Sequence, residues 1–398
     1  MKRIYILYFL LLFPLLYWAQ PPQGKKETNV QMNAGFNNIQ TNQSSENGLL
    51  NGAPQSEQNT LLKSDSAYFQ LEKREREDVF KQEESLSVDQ QTKVMSSFSL
   101  VRQKSKLSNF QRTPLLSEQQ EIDAKVKQLE LLSPNSWEYQ LAFFSAGNYN
   151  TERGASMEKA FELNPENTEV QKQYFSLKFI SGDTVSAENT LSLMSVNDVI
   201  SLEVERYTND VLTSCTMNST LITHGFEDTY GALFNQFSHQ LRADVKVISL
   251  DFLQSPQFRK ELEGQGYVLP KSSKIDVGYL SQFCYLNAKK ELFLSVTIPR
   301  TYLDPLAKKL FPVGLTFQYV DAPAEDLPIR QEDLWFYQLN KYGLNEGEER
   351  SKFAMNYMPM LIYLEAKYVQ EGNEVLLLQI RESMDQILGK KPIKKVGN

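Results

Sequence analysis

The sequence predicts a small parallel α/β sheet flanked by helical repeats and preceded by a long polar segment. Three observations carry this. Two apolar runs (Leu221 and Ile222; Val245, Val247, Ile248 and Leu250) are separated by Gly225, three polar residues and an amphipathic stretch. That is the pattern of strand, loop, crossover helix and parallel strand. From 115 to 195, apolar residues recur at helical spacing between Pro, Asn and Gly breaks. Residues 20–61 are rich in Gln, Asn and Ser with few large apolar side chains, so they bury too little surface to offset their ordering entropy.

At the N-terminus, Lys2 and Arg3 precede an apolar run from Ile4 to Trp18, followed by Ala19 and Gln20. A charged start, a short apolar centre and a small residue describe a secretory signal peptide, 1–19. The run is shorter than the roughly 20 apolar residues a spanning helix needs, and Pro14 interrupts it. An uncleaved anchor is the alternative. No Cys follows the run, so the lipoprotein route, which acylates one there, is not indicated. The mature chain is expected to be exported, periplasmic or outer-membrane-associated, and not integral to the membrane.

Residues 20–114 are read as a disordered polar linker. The charged stretch Glu72 to Asp78 has no sustained apolar face, so a tether is favoured over a helix that forms on a partner. The chain has 42 Lys+Arg against 49 Asp+Glu, which argues against a nucleic-acid partner. The basic cluster Lys390, Lys391, Lys394 and Lys395 reads as a solvated tail, the last residues 391–398 forming its own segment. Cys215 and Cys284 each lie in apolar surroundings that favour buried thiols over a disulfide. With His224 and His239 they lack the paired spacing of a zinc site, and no metal or cofactor is expected.

Order is expected to begin near Leu115. Ser117 with Gln120 forms a capping box, and Ile122, Val126, Leu129 and Leu132 follow at helical spacing until Pro134. Trp137, Leu141 and Phe144 mark the next helix, Met157, Ala160 and Phe161 another after Gly147, and Val170, Tyr174 and Leu177 a third after Pro165. Tyr139 to Tyr174 is 174 − 139 = 35, and Gly147 to Gly182 is 182 − 147 = 35. This period and the residues Trp137, Gly147, Tyr149, Ala160, Phe161 and Pro165 resemble tetratricopeptide repeats over 115–195. The resemblance implies a partner-binding surface, with Trp137, Phe144 and Tyr174 as its candidates. Helices that only pad a neighbouring domain are the alternative.

The α/β domain, 196–325, is read as Rossmann-like. Ser195 with Asp198 opens a helix to about Leu212; further helices are expected from Pro256 to Gly264 and from Asp276 to Lys290. Leu292 to Ile298 reads as a strand, Pro305 to Lys309 as helical and Gly314 to Val320 as the last strand. Two helices close the chain in 326–390: Glu349 to Gln370, broken or bent at Pro359, and Asn373 to Leu388.

Residues 196–325 resemble the soluble C-terminal domain of large bacterial integral-membrane glycosyltransferases of the protein O-mannosyltransferase type. That domain carries Asn-Gly-Asp-Asn-Asp-Thr-Phe/Tyr-Pro at a strand end, then a helix and Arg-Pro-Asp-Val. This chain matches at Gly225, Asp228, Thr229, Tyr230, Arg242, Asp244 and Val245. Leu310 to Val320 is similar to its closing Glu-Gly-Leu segment. His224, Phe226, Glu227 and Gly231 depart from the pattern. The family's catalytic half is a multispanning membrane region with no counterpart in this sequence, so the resemblance implies a fold and argues against glycosyl transfer by this chain alone.

Such sheets bind ligands outside the carboxyl ends of their strands, which makes His224, Gly225, Glu227, Asp228, Thr229 and Tyr230 the candidate ligand site. Glu227 and Asp228 could serve as an acid/base pair or as metal ligands with His224. Helix capping, worth about 1 kcal/mol, is the favoured role. A Ser–His–Asp arrangement of Ser249 and Asp251 with a histidine can be drawn, but no G-x-S-x-G elbow raises a nucleophile, and no G-x-G-x-x-G follows a strand. The favoured reading is an exported, non-catalytic interaction or scaffold component of the bacterial cell envelope with envelope-protein partners. The alternative is an accessory of envelope protein glycosylation that binds a glycan or activated sugar through Gly225–Tyr230.

Overall fold

The computed structural model describes residues 89–105, 113–341 and 351–389. The expected signal peptide, the linker through residue 88 and the basic tail lie outside the described residues. Residues 89–92 are helical and belong to a separate unit, Pro22–Thr92; the unit from Lys93 onward carries the fold.

Folded chain begins earlier than Leu115. Residues 93–105 form helix α1, and its Val94, Met95, Phe98 and Val101 pack on Ile122, Val126 and Leu129 of α2 (Leu116–Leu132) and on Ala142 and Ala146 of α3 (Trp137–Ala146). The stripe on α1 is only two turns long and sits in polar sequence, so it gives a weak periodic signal. Arg102 fixes the helix by donating to the Ser145 carbonyl and to Asn148 Oδ1 (3.3 Å), at the turn that ends α3. The cap of α2 also differs from expectation. Glu118, not Gln120, reaches back, accepting from the Leu115 amide at 2.9 Å.

The helices that follow are α4 (Gly154–Leu163), α5 (Thr168–Ile180), α6 (Thr184–Val196) and α7 (Leu202–Thr213). The helix expected to open at Ser195 starts at Leu202, and Ser195 belongs to the end of α6. Asp183 caps α6 and Ser201 caps α7, and the break between them puts Asp198 at φ +55°. The starts of α3 and α5 are built alike. Ser136 and Asn167 cap them, and Gln140 and Gln171 donate to the carbonyls of Pro134 and Pro165 at 2.9 and 2.8 Å. These features are 31 apart (167 − 136, 171 − 140), whereas the helix ends, Ala146 and Ile180, are 34 apart (180 − 146). The difference is the extra length of α5, 13 residues against 10, about one turn.

The sheet has five strands in the order β2-β1-β3-β5-β4. They are β1 (Thr220–Thr223), β2 (Lys246–Ser249), β3 (Leu292–Ser295), β4 (Leu310–Val313) and β5 (Thr316–Tyr319). β1 runs parallel to β2 and β3, while β5 runs antiparallel to β3 and β4. The sheet is therefore mixed, a correction to the wholly parallel expectation. The reason is the Gly314-Leu315 loop. With φ +55° at Gly314 alone it makes a two-residue hairpin, and parallel strands need a far longer crossover. β4 is an edge strand, which is where Pro312 can be accommodated.

Helix α8 (Gly225–His239) crosses from β1 to β2; α9 (Pro256–Gly264) and α10 (Val277–Leu286) lead from β2 to β3. Because β3 lies on the far side of β1, the connections diverge between β1 and β3. Beyond the short α11 (Arg300–Leu303) and the hairpin come α12 (Leu327–Asp333), α13 (Met358–Glu371) and α14 (Glu374–Ile387). The helix expected from Glu349, broken or bent at Pro359, is α-helical from Met358, after a single tighter turn over Ala354–Tyr357. Pro359 occupies the first turn of α13, where its missing N–H costs no bond.

An aromatic seam joins the helices to the sheet. Phe175 of α5 lies 4.7 Å from Tyr230 of α8, Phe179 lies 5.7 Å from Phe252, and Tyr149 meets Phe252 at 5.4 Å. The Tyr230 hydroxyl donates to the Lys172 carbonyl at 2.8 Å. On its other side α8 lies close against α7 at Gly231. A Cβ there would stand 2.7 Å from Val204 Cγ1 and 2.8 Å from Thr208. Gly231→Ala should therefore destabilise the fold by about 1–3 kcal/mol. Denaturant unfolding should show a lower midpoint at an unchanged slope; an unshifted midpoint would show that the helices separate freely.

Candidate functional site

The carboxyl ends of β1, β2 and β3 and the first turn of α8 form one polar region, mostly buried. Thr223 ends β1, Ser249 ends β2 and Ser295 ends β3, and all three are buried. The Thr229 hydroxyl lies 2.9 Å from Thr223 Oγ1 and donates to Ser249 Oγ at 3.2 Å. These three hydroxyls tie α8 to the two strands it connects. Asp251, just after β2, accepts from the Gly225 amide at 2.9 Å and so caps α8. Capping was expected of Glu227 or Asp228, and His224 at the cap position makes no side-chain cap bond.

Glu227 and Asp228 diverge. Glu227 is half exposed and pairs with Lys352, which lies 125 positions away in sequence. Asp228 is buried and accepts from the Thr297 hydroxyl, just beyond β3. Thr297 Oγ1 is itself 3.1 Å from Ser295 Oγ. Burial raises the Asp228 carboxyl to about 6, only partly offset by hydrogen bonds from Ser295 and Thr297, and Glu227 adds to the rise. Beside them Tyr207 of α7 is buried, and its hydroxyl accepts from Asn356 at 3.1 Å.

The candidate residues are thus brought to one end of the sheet but do not converge. Thr229 and Tyr230 are buried with their hydroxyls engaged, so they offer no surface to a ligand. His224, Gly225 and Glu227 remain partly exposed, with Phe226 between them carrying Lys172 Nζ 4.4 Å above its ring. Of the partner candidates, Phe144 is fully buried in the core between α3, α4 and α5, which removes it from any surface. Trp137 and Tyr174 are partly exposed, and Tyr174 stacks on Phe161 at 3.9 Å.

Cys215 and Cys284 are both free and buried, and burial pushes each thiol up to about 12. Among the described residues no group of His, Cys, Asp and Glu could hold a metal ion, and no helix is long and apolar enough to cross a membrane.

Arg242 and Asp244 have a structural task. Arg242 donates to the carbonyls of Leu212 (3.0 Å), Cys215 (2.8 Å) and Thr216 (2.7 Å), closing the end of α7. Asp244 holds it by two 2.9 Å bonds and accepts from the Asn218 amide, which pulls the Asp244 carboxyl down to about 2. Gly314 likewise passes against α7's end, since a Cβ there would lie 2.1 Å from Ser214 Oγ.

Sequence reasoning missed Asp251 as the cap, the Ser295–Thr297 pair, Tyr207 and Lys352. The first three carry a signal, being polar residues at strand ends or on a helix facing them. Lys352 carries none.

Residues 204–323 match the family model of TMEM260-associated domain 2. The match lies inside the stretch that resembles the glycosyltransferase C-terminal domain and is consistent with that resemblance. No curated protein and no solved structure matches the chain.

The buried carboxyl sets a pH dependence. Asp228 is raised from 3.8 to about 6 in the fold, so its stabilising contribution is fully present below about 3.8 and is lost as pH rises through about 6. A shift of this size is worth about 3 kcal/mol at most. Asp228→Asn keeps the acceptor and removes the charge, so it should raise stability at pH 8 and flatten its fall between pH 4 and 7. Equal destabilisation at pH 5 and pH 8 in urea titrations would show that the carboxylate is not a strained charge.

Proposed function

We propose that this chain is an exported, non-catalytic interaction component of the cell envelope, periplasmic or outer-membrane-associated, that works alongside protein glycosylation. The observation that carries this reading is how the polar groups at the strand ends are used. Thr223, Thr229, Ser249, Asp251, Asp228 and Thr297 are bonded to one another or to the backbone, and Glu227 is paired with Lys352. The repeated helix starts at Ser136 and Asn167 support tetratricopeptide-like packing, with α1 and α2 supplying a further hairpin. Repeat architectures of this kind present extended binding surfaces. Trp137 and Tyr174 are the remaining aromatic candidates.

A second reading is favoured by the family match and by the placement of the α8 start. The matched family takes its name from TMEM260, to which protein O-mannosyl transfer is ascribed. The strand order β2-β1-β3, with both pairs parallel, supports a Rossmann-like reading, in which the α8 start would stand at the switch point. In this reading His224, Phe226 and Glu227 contact a glycan or an activated sugar.

The two readings separate experimentally. The first expects stoichiometric co-purification with an envelope protein after mild cross-linking; recovery of the chain alone at every salt concentration would count against it. The second expects a thermal shift with a sugar or sugar nucleotide that Glu227→Ala reduces at least ten-fold in affinity with the fold retained. No shift with any sugar would remove it.

A further inference from the structure

The segment Ser351–Tyr357 lies across the switch-point end of the sheet. Phe353 is buried and stacks on Tyr207 of α7, with ring centroids 4.1 Å apart and planes 4° apart. Lys352 pairs with Glu227, its ammonium lies 5.0 Å over the Phe353 ring, and its backbone amide donates to Glu203 Oε1 at 3.0 Å. Asn356 donates to the Tyr207 hydroxyl at 3.1 Å, and the Tyr357 hydroxyl donates to Asp210 Oδ2 at 2.6 Å.

The two halves of this segment are held differently. Asn356 and Tyr357 are buried and bonded to buried groups of α7, next to the start of α13. Ser351–Phe353 is held by burial of the Phe353 ring in the core against Tyr207 and by turn bonds, Ser351 and Phe353 carbonyls accepting from the Ala354 and Asn356 amides at 3.1 and 2.9 Å, while its polar links to α7 and α8 are one exposed ion pair and one exposed amide bond to a carboxylate. Exposed ion pairs contribute little to stability. The links of the front half to α7 and α8 are thus the exposed ones, and local openings of low stability start where polar bonds are exposed.

The contacts of the front half also read as recognition of two consecutive residues. Glu227 accepts a cationic side chain, Glu203 accepts a backbone N–H and the Tyr207 ring receives an aromatic face. We propose that Ser351–Phe353 is a displaceable internal occupant of a peptide site, and that the site takes, in trans, a segment in which a basic residue precedes an aromatic one. The proposal rests on the interaction reading above and names the partner's chemistry. Two carboxylates at the site favour a basic segment. The tethered copy competes at high effective concentration, so a free segment binds weakly until the copy is displaced.

A labelled peptide with the sequence of residues 351–357 tests this by fluorescence polarisation. Phe353→Ala vacates the ring site, and the variant should bind the peptide at least ten times more tightly than the unaltered protein. Adding Glu227→Lys should weaken that binding at least ten-fold, and a peptide with Glu in place of its Lys should restore it. Equal affinity for the unaltered protein and Phe353→Ala, or indifference to Glu227→Lys, overturns the proposal. If Phe353→Ala does not fold, amide exchange on the unaltered protein decides. The amides of Lys352 and Phe353 should exchange at least ten times faster than those of the middle of α13; exchange only with global unfolding overturns displacement. Failure here, with an envelope protein still co-purifying, would leave the interaction reading standing and remove only this site.

Discussion

The aromatic seam around Tyr230, Phe252 and Phe179 is the contact on which the rest of the molecule depends. The helices α1 to α6 bury their inner faces against one another, but α5 and α6 also carry Phe175, Phe179, Ile180, Leu191 and Met194 into the same core as the sheet. Six helices of this length form a thin layer on their own. Here they gain a permanent neighbour in the sheet domain. Rings at 4.7 to 6.4 Å hold the two parts in one arrangement, since edge and tilted contacts are directional where aliphatic burial is not. The Tyr230 hydroxyl adds a bond to Lys172, so the seam fixes the rotation of α8 as well as its position.

Much of this was legible in the sequence, because most of the signals are local. The crossover from β1 to β2 follows from two apolar runs with a gap of helical length. The α9 helix follows from Ser255 before Pro256, and the ends of α5 and α13 from Gly182 and Gly372, both at positive φ. The errors have physical causes. The α6–α7 break has no Pro or Gly; it rests on Asp198 adopting a left-handed conformation, which Asp tolerates. The antiparallel half of the sheet hides behind Pro312, which demotes a strand in sequence but is harmless at an edge. The α1 helix lies in sequence whose composition is that of the linker, and only Phe98 and its neighbours mark it.

The family-like motif divides by task in the same way. Arg242, Asp244 and Gly314 all serve the end of α7, where Arg330 also donates to the Ser214 carbonyl at 2.8 Å. Helix ends leave carbonyls without partners, and this one is buried against the sheet. Two guanidinium groups and a serine hydroxyl meet that need. A motif of charged residues read along the chain suggests a binding patch, yet its charges are consumed in closing a helix.

The candidate site illustrates the limit most sharply. Four successive residues, Phe226, Glu227, Asp228 and Thr229, look like one cluster in a linear sequence. In a helix each is turned about 100° from the last, given 3.6 residues per turn. Phe226 shares a face with Tyr230, and both reach α5. Glu227 shares a face with Gly231, and both meet α7 or the segment lying on it. Asp228 turns to the end of β3 and Thr229 to the ends of β1 and β2. Convergence would have required the polar residues to stay in the loop; the helix starts at Gly225 because Asp251 caps it there. One carboxylate just beyond the next strand thus decides that a cluster in sequence becomes four separate contacts in space. It leaves Glu227 as the carboxylate of this turn that faces outward.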